Sequence, residues 1–127
     1  MKTLEQKRIV AAYDCVSKIK GKTDLEDYKI AVNTLGVTIL RSGLAAAMCL
    51  AERKKEQNKM YPKLLEHLAR KEFAIKEIQG KNSESIPDAV RKLDFDAYML
   101  TTRQMLRAIF WLKRATQSYR VEGAYDA

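Results

Sequence analysis

Few residues in this sequence interrupt a helix: its 127 residues include two prolines and five glycines. No stretch alternates apolar and polar residues as a half-buried strand would, so a turn-rich β architecture is excluded. Histidine occurs once, as His67, with no aligned cysteine, aspartate or second histidine, and no metal site is expected. Cys15 and Cys49 stand apart with no CxxC, and both fall on predicted apolar helix faces, which suits reduced, buried thiols. There is no Gly-rich phosphate loop, no GxSxG and no HExxH. The acidic residues are scattered along helices as partners for Lys and Arg, and Glu66 points to a different side of its helix from His67. Without a nucleophile–base pair, neither catalysis nor a cofactor is expected. The longest apolar run, Leu44 to Ala51, is too short to span a bilayer, and the opening MKTLEQKR alternates charge too early for a signal peptide. These features predict a cytoplasmic protein with no membrane partner.

What the sequence does have is positive charge and helical periodicity. The formal net charge is +8, with 46% hydrophobic and 31% charged residues. That balance fits one globular helical domain over residues 1–127, and the basic excess favours a polyanionic partner. The spacing predicts an all-α bundle of five or six helices with short connections.

Thr3-Leu-Glu-Gln6 is a capping box, opening a helix to about Lys20 that stops at Gly21, with Ile9, Ala12, Tyr13, Val16 and Ile19 as its buried stripe. Thr23-Asp-Leu-Glu26 repeats the cap, and Tyr28, Val32, Leu35 and Ile39 mark the inner face of a second helix. A kink or break is predicted at Gly36, and Ser42-Gly43 interrupts the period again. A third helix runs from Leu44 to about Gln57, its small residues Ala45, Ala46, Ala47 and Ala51 allowing close approach. Met60-Tyr61-Pro62 starts a fourth, with Tyr61, Leu64, Leu65, Leu68, Ile75 and Ile78 as one stripe closed by Gly80 and His67 on the polar side. A loop at 80–85 leads to a short helix from Ser85 to about Leu93. Asp94 or Asp96 caps a long final helix reaching Tyr119, and the tail 122–127 is expected to fray.

That final helix carries two faces at ~100° per residue. Tyr98, Thr101, Met105, Ala108, Ile109, Leu112 and Tyr119 face a core. Arg103, Arg107 and Arg114 lie within ~40° of one another on the other side, beside Phe110. Trp111 is expected to be largely buried and Phe110 the more accessible ring. Together with Arg41, Arg53, Lys54 and Lys113, these arginines are the candidate nucleic-acid-binding residues, because long cations at helix ends and on one face suit phosphate contacts. Phe110 or Trp111 could stack on an unpaired base or meet a partner chain.

Three stretches carry a family resemblance: the opening Met-Lys-Thr-Leu-Glu-Gln-Lys-Arg; Thr38-Ile-Leu-Arg41-Ser-Gly43-Leu44 before the alanine run; and Tyr98, Thr102 and Trp111-Leu112-Lys113-Arg114-Ala115. In this order the chain resembles the small α-helical subunit of the type III-B CRISPR effector, the Cmr complex. It departs from that pattern at Gly36, where a proline is common, and in the Ala-Thr that follows Arg114. The resemblance implies a non-catalytic subunit of an RNA-guided ribonucleoprotein. Copies of it stack into a short filament beside the subunits that carry the guide crRNA and help hold target RNA, while cleavage belongs to other subunits. Arg41, Trp111, Lys113 and Arg114 are the positions carried over by match; Arg53, Lys54, Arg103 and Arg107 rest on charge and periodicity alone. A stand-alone helical adaptor for protein–protein contacts is the alternative. A helix-turn-helix DNA reader fails on chemistry, because the helix after Gly43 opens Leu-Ala-Ala-Ala-Met-Cys-Leu with no side chains to read bases.

Overall fold

Thr3 and Gln6 close the predicted capping box: Thr3 Oγ1 accepts from the Gln6 N–H at 3.1 Å, and Gln6 Oε1 accepts from the Thr3 N–H at 2.8 Å. In the computed structural model, which describes residues 1–118, this cap opens α1 (Leu4–Ser17). Five further helices follow: α2 (Lys22–Ser42), α3 (Leu44–Lys54), α4 (Met60–Leu68), α5 (Ile86–Arg91) and α6 (Phe95–Ser118). No strand forms among the described residues. The predicted positions Tyr119 and 122–127 lie outside them.

α2 is the centre of the bundle, packing against α3, α4 and α6, while α1 lies against α6 and α5 against α3. Its inner residues Tyr28, Val32, Leu35 and Ile39 are buried as their spacing requires. The predicted second capping box does not form. The helix begins at Lys22, after Gly21 with no side-chain cap, so Thr23 lies inside it. Nor does the helix break at Gly36. A Cβ built there would stand 3.1 Å from Ile109 Cγ2, so the missing side chain is what lets α2 and α6 approach each other. The real interruption is Gly43, at φ +95°, which ends α2 and starts α3 in one residue. Tyr98 of α6 reaches this junction, its hydroxyl accepting the Ala45 N–H at 2.8 Å. With Gly36 beside Ile109 and Gly43 beside Tyr98, α2 and α6 run antiparallel.

Three other expectations are corrected. Tyr13 is exposed while Ala11 and Cys15 are buried, which rotates the inner stripe of α1 by about one residue. Cys49 is also exposed, because α3 buries Ala47, Met48 and Ala51 instead. The fourth helix ends at Leu68 rather than Gly80: Arg70 is extended (φ −66°, ψ 141°), a 3-10 turn spans Lys71–Phe73, and Ala74 is left-handed at φ 57°. Tertiary bonds hold that break. Arg70 Nη1 donates to Asp14 Oδ2 at 2.9 Å and to Cys15 Sγ at 3.3 Å, its other edge meets Glu72, and Arg8 Nε donates to the Phe73 carbonyl at 3.1 Å. Ile75 and Ile78 are still fully buried, delivered by a turn instead of a helix.

α6 matches its predicted core face: Thr101, Met105, Ala108, Ile109 and Leu112 are buried and Tyr98 packs against them. Asp94 is its cap, Oδ1 accepting the Ala97 N–H at 3.0 Å. No helix among the described residues is long and apolar enough to cross a membrane.

Candidate nucleic-acid interface

The core stripe of α6 fixes what its outer face can present. Because Met105, Ala108 and Leu112 point inward, Arg103, Arg107, Phe110 and Arg114 point outward, and all four are exposed. Lys113, on the edge of this face, is exposed as well and borders a groove between α2 and α6. The groove has a volume of about 250 Å³ and its walls include Val37, Leu40, Leu106 and Phe110. Leu40 is 73% and Phe110 44% exposed, so a band of apolar surface runs beside the cations.

The cations of α6 are not equivalent. Arg107 is engaged: its guanidinium forms an ion pair with Glu5 at the start of α1 and lies over the rings of Phe110 and Trp111, at 5.2 Å and 5.8 Å from their centres. The Arg107 guanidinium holds the Glu5 carboxyl below the usual carboxylate range, opposed by partial desolvation and helped by Trp111 and Arg8. Trp111 is half-buried and meets Phe110 edge-on at 5.0 Å. Phe110 is thus the accessible ring of the pair. Arg103, Lys113 and Arg114 form no ion pair among the described residues.

The structure brings only some of the candidate residues together. Arg41 is exposed in the last turn of α2, near Tyr98 on the inner side of α6, and is not joined to the arginine face by any contact among the described residues. Arg53 and Lys54 close α3, eight residues beyond Ala45 or ~12 Å along the axis. α3 packs chiefly on α2 and α5, which sets this pair apart from the arginine face. Lys54 is half-buried, and cations in a last turn also complement the helix dipole.

Sequence reasoning missed two features. Glu5 registered only as part of a cap, and nothing local reveals that it covers Arg107 across 102 residues. His67 is not on a solvated face but part-buried, with Nδ1 2.7 Å from the Tyr28 hydroxyl. Burial, then the charges of Lys63, Arg70 and Lys18, push its pKa down to about 4.

Comparison with known proteins is consistent with this architecture. The family model described as CRISPR-associated protein (Cas_Cmr5) matches residues 4–119. Among solved structures, the chain is similar to a CRISPR-associated Cmr5 family protein from Thermus thermophilus. The TM-score is 0.70 at 23% sequence identity, over 92% of this chain and 97% of that one. No curated protein sequence matches.

Proposed function

The chain belongs to the CRISPR-associated Cmr5 family, and from that premise we propose that it is the non-catalytic small subunit of a type III-B CRISPR RNA-guided, RNA-targeting complex. In this reading it stacks on copies of itself and on other Cmr subunits, and helps hold the crRNA–target RNA pairing. The observation that carries it is the outer face of α6, where Arg103, Lys113 and Arg114 are exposed cations without ion pairs among the described residues, beside an accessible aromatic ring. Exposed arginines and lysines bind phosphates irrespective of sequence, which is what a subunit holding a guide-dependent duplex requires. The apolar groove beside them, with Leu40 and Phe110 exposed, suits contact with a neighbouring protein surface. The same groove is the feature that favours the alternative, a helical adaptor acting only through protein contacts.

Salt dependence separates the two. In reconstituted complex, Arg103→Gln, Lys113→Gln and Arg114→Gln together should weaken target-RNA retention and flatten its log–log salt slope by about 2 to 3, at ~0.7–0.9 per phosphate contact. Retention and slope both unchanged would favour the adaptor.

A further inference from the structure

A second basic cluster lies away from α6, where the end of α1, the start of α2 and α4 meet. A cleft of about 310 Å³ is lined there by Lys18, Lys20, Asp24, Lys63 and His67, with Ile19 and Met60 on its apolar side. We propose that this cleft binds a phosphate group, held by the ammonium groups of Lys18, Lys20 and Lys63 and by the Nε2–H of His67.

The hydrogen-bond pattern fixes the histidine's role. Tyr28 is fully buried, and its hydroxyl has one partner among the described residues, His67 Nδ1. Burial keeps the phenol protonated, and a buried O–H must donate. Nδ1 is therefore the acceptor, which puts the ring proton of the neutral imidazole on Nε2. Nε2 makes no protein hydrogen bond among the described residues and is not a buried orphan, so it opens to the cleft its residue lines. A donor is thus held in place from behind and is left without a protein acceptor among the described residues.

The charges point the same way. Lys20 has no ion pair among the described residues, and Lys63 has only Glu66 at 3.9 Å. Lys18 pairs with Asp14 at 3.1 Å, yet that carboxylate is shared with Arg70 at 2.9 Å and cannot neutralise both. Asp24 is the one carboxylate in the lining among the described residues, and it lies 3.7 Å from Lys59. The excess positive field is registered by His67 itself, whose protonation Lys63, Arg70 and Lys18 oppose once burial has done so. Three compact ammonium charges from two segments of chain, the α1–α2 turn and α4, with one neutral N–H donor, suit a tetrahedral oxyanion. The inference does not rest on the RNA reading of α6, since none of its residues belongs to that helix.

His67 is the only histidine, so its ring resonances report on this cleft alone. The full chain, in low-salt buffer at neutral pH, would be titrated with inorganic phosphate and then with a short single-stranded RNA lacking terminal phosphates. Phosphate should move the Nε2 resonance saturably, whereas chloride at equal ionic strength should not. Lys18→Gln, Lys20→Gln and Lys63→Gln together should weaken binding by about tenfold or more while leaving the far-UV spectrum intact. RNA that displaces phosphate would identify a backbone diester as the natural ligand; RNA without effect would identify a free or terminal monoester. No saturable shift with either probe, or undiminished affinity in the folded triple variant, would overturn the proposal.

Discussion

Acid should destabilise this protein first through His67. In the unfolded chain the imidazole takes up its proton near its ordinary value of 6.5; in the fold it does so only near about 4. The folded state therefore binds fewer protons across this interval. The stabilisation is fully present above pH 6.5 and is lost as pH falls toward 4. At ~1.36 kcal/mol per unit, the loss is about 2 kcal/mol by pH 5 and about 3 kcal/mol by pH 4. Glu5, Asp14, Glu72 and Asp88 are also held low, by Arg107, Arg70, Arg70 and Lys92 respectively, but their ordinary values are 4.5 or 3.8. Their contributions disappear lower on the scale, so the change from pH 6.5 to 5 belongs to His67. Urea denaturation in phosphate-free buffers at pH 7, 6, 5 and 4 would measure it. His67→Gln is the control, since it cannot titrate but retains an acceptor for the Tyr28 hydroxyl. The wild-type curve should fall by about 2 kcal/mol more than the variant's between pH 7 and 5. Parallel curves, or a directly measured His67 pKa near 6.5, would refute the reasoning.

Other substitutions test the packing. Leu112→Ala empties a fully buried position on the inner face of α6 and should cost about 2–5 kcal/mol in chemical denaturation. Gly36→Val pushes its side chain into Ile109 at the α2–α6 crossing and should cost about 1–3 kcal/mol, a loss that Ile109→Ala in the same chain would not simply add to. Arg107→Glu with Arg114→Glu sets a second carboxylate against Glu5, but on an exposed surface. Thermal unfolding should shift by the equivalent of no more than about 1 kcal/mol, while target-RNA retention in the assembled complex falls.

What could be read from the residues follows the range of the forces involved. The capping box of Thr3 and Gln6 and the two-faced pattern of α6 are local, and both form as their spacing demands. Gly36 misleads because helix propensity sees only an entropic cost there, whereas the decisive term is the approach of Ile109, 73 positions along the chain. The break after Leu68 carries no proline or glycine to announce it. Ile75 and Ile78, three apart, satisfy a helical period and a single turn equally well. What selects the turn is Arg70 reaching back to Asp14 and Cys15, with Ala74 accepting a left-handed conformation in consequence. The candidate cations, Lys54 apart, were legible as exposed charge. Which of them is already occupied was not, because Glu5 and Arg107 meet only when the two ends of the fold are in place.

The pairing of α1 with α6 also sets the order in which the chain can mature. During synthesis the apolar stripe of Ala12 and Val16 leaves the ribosome well before one of its principal covers, α6. The growing chain therefore carries an unsealed surface until α6 has emerged. A nascent or truncated product lacking α6 exposes that surface together with the flank of α2, the kind of apolar surface that makes incomplete chains prone to aggregate. Completion of α6 closes α1 and α2 at once.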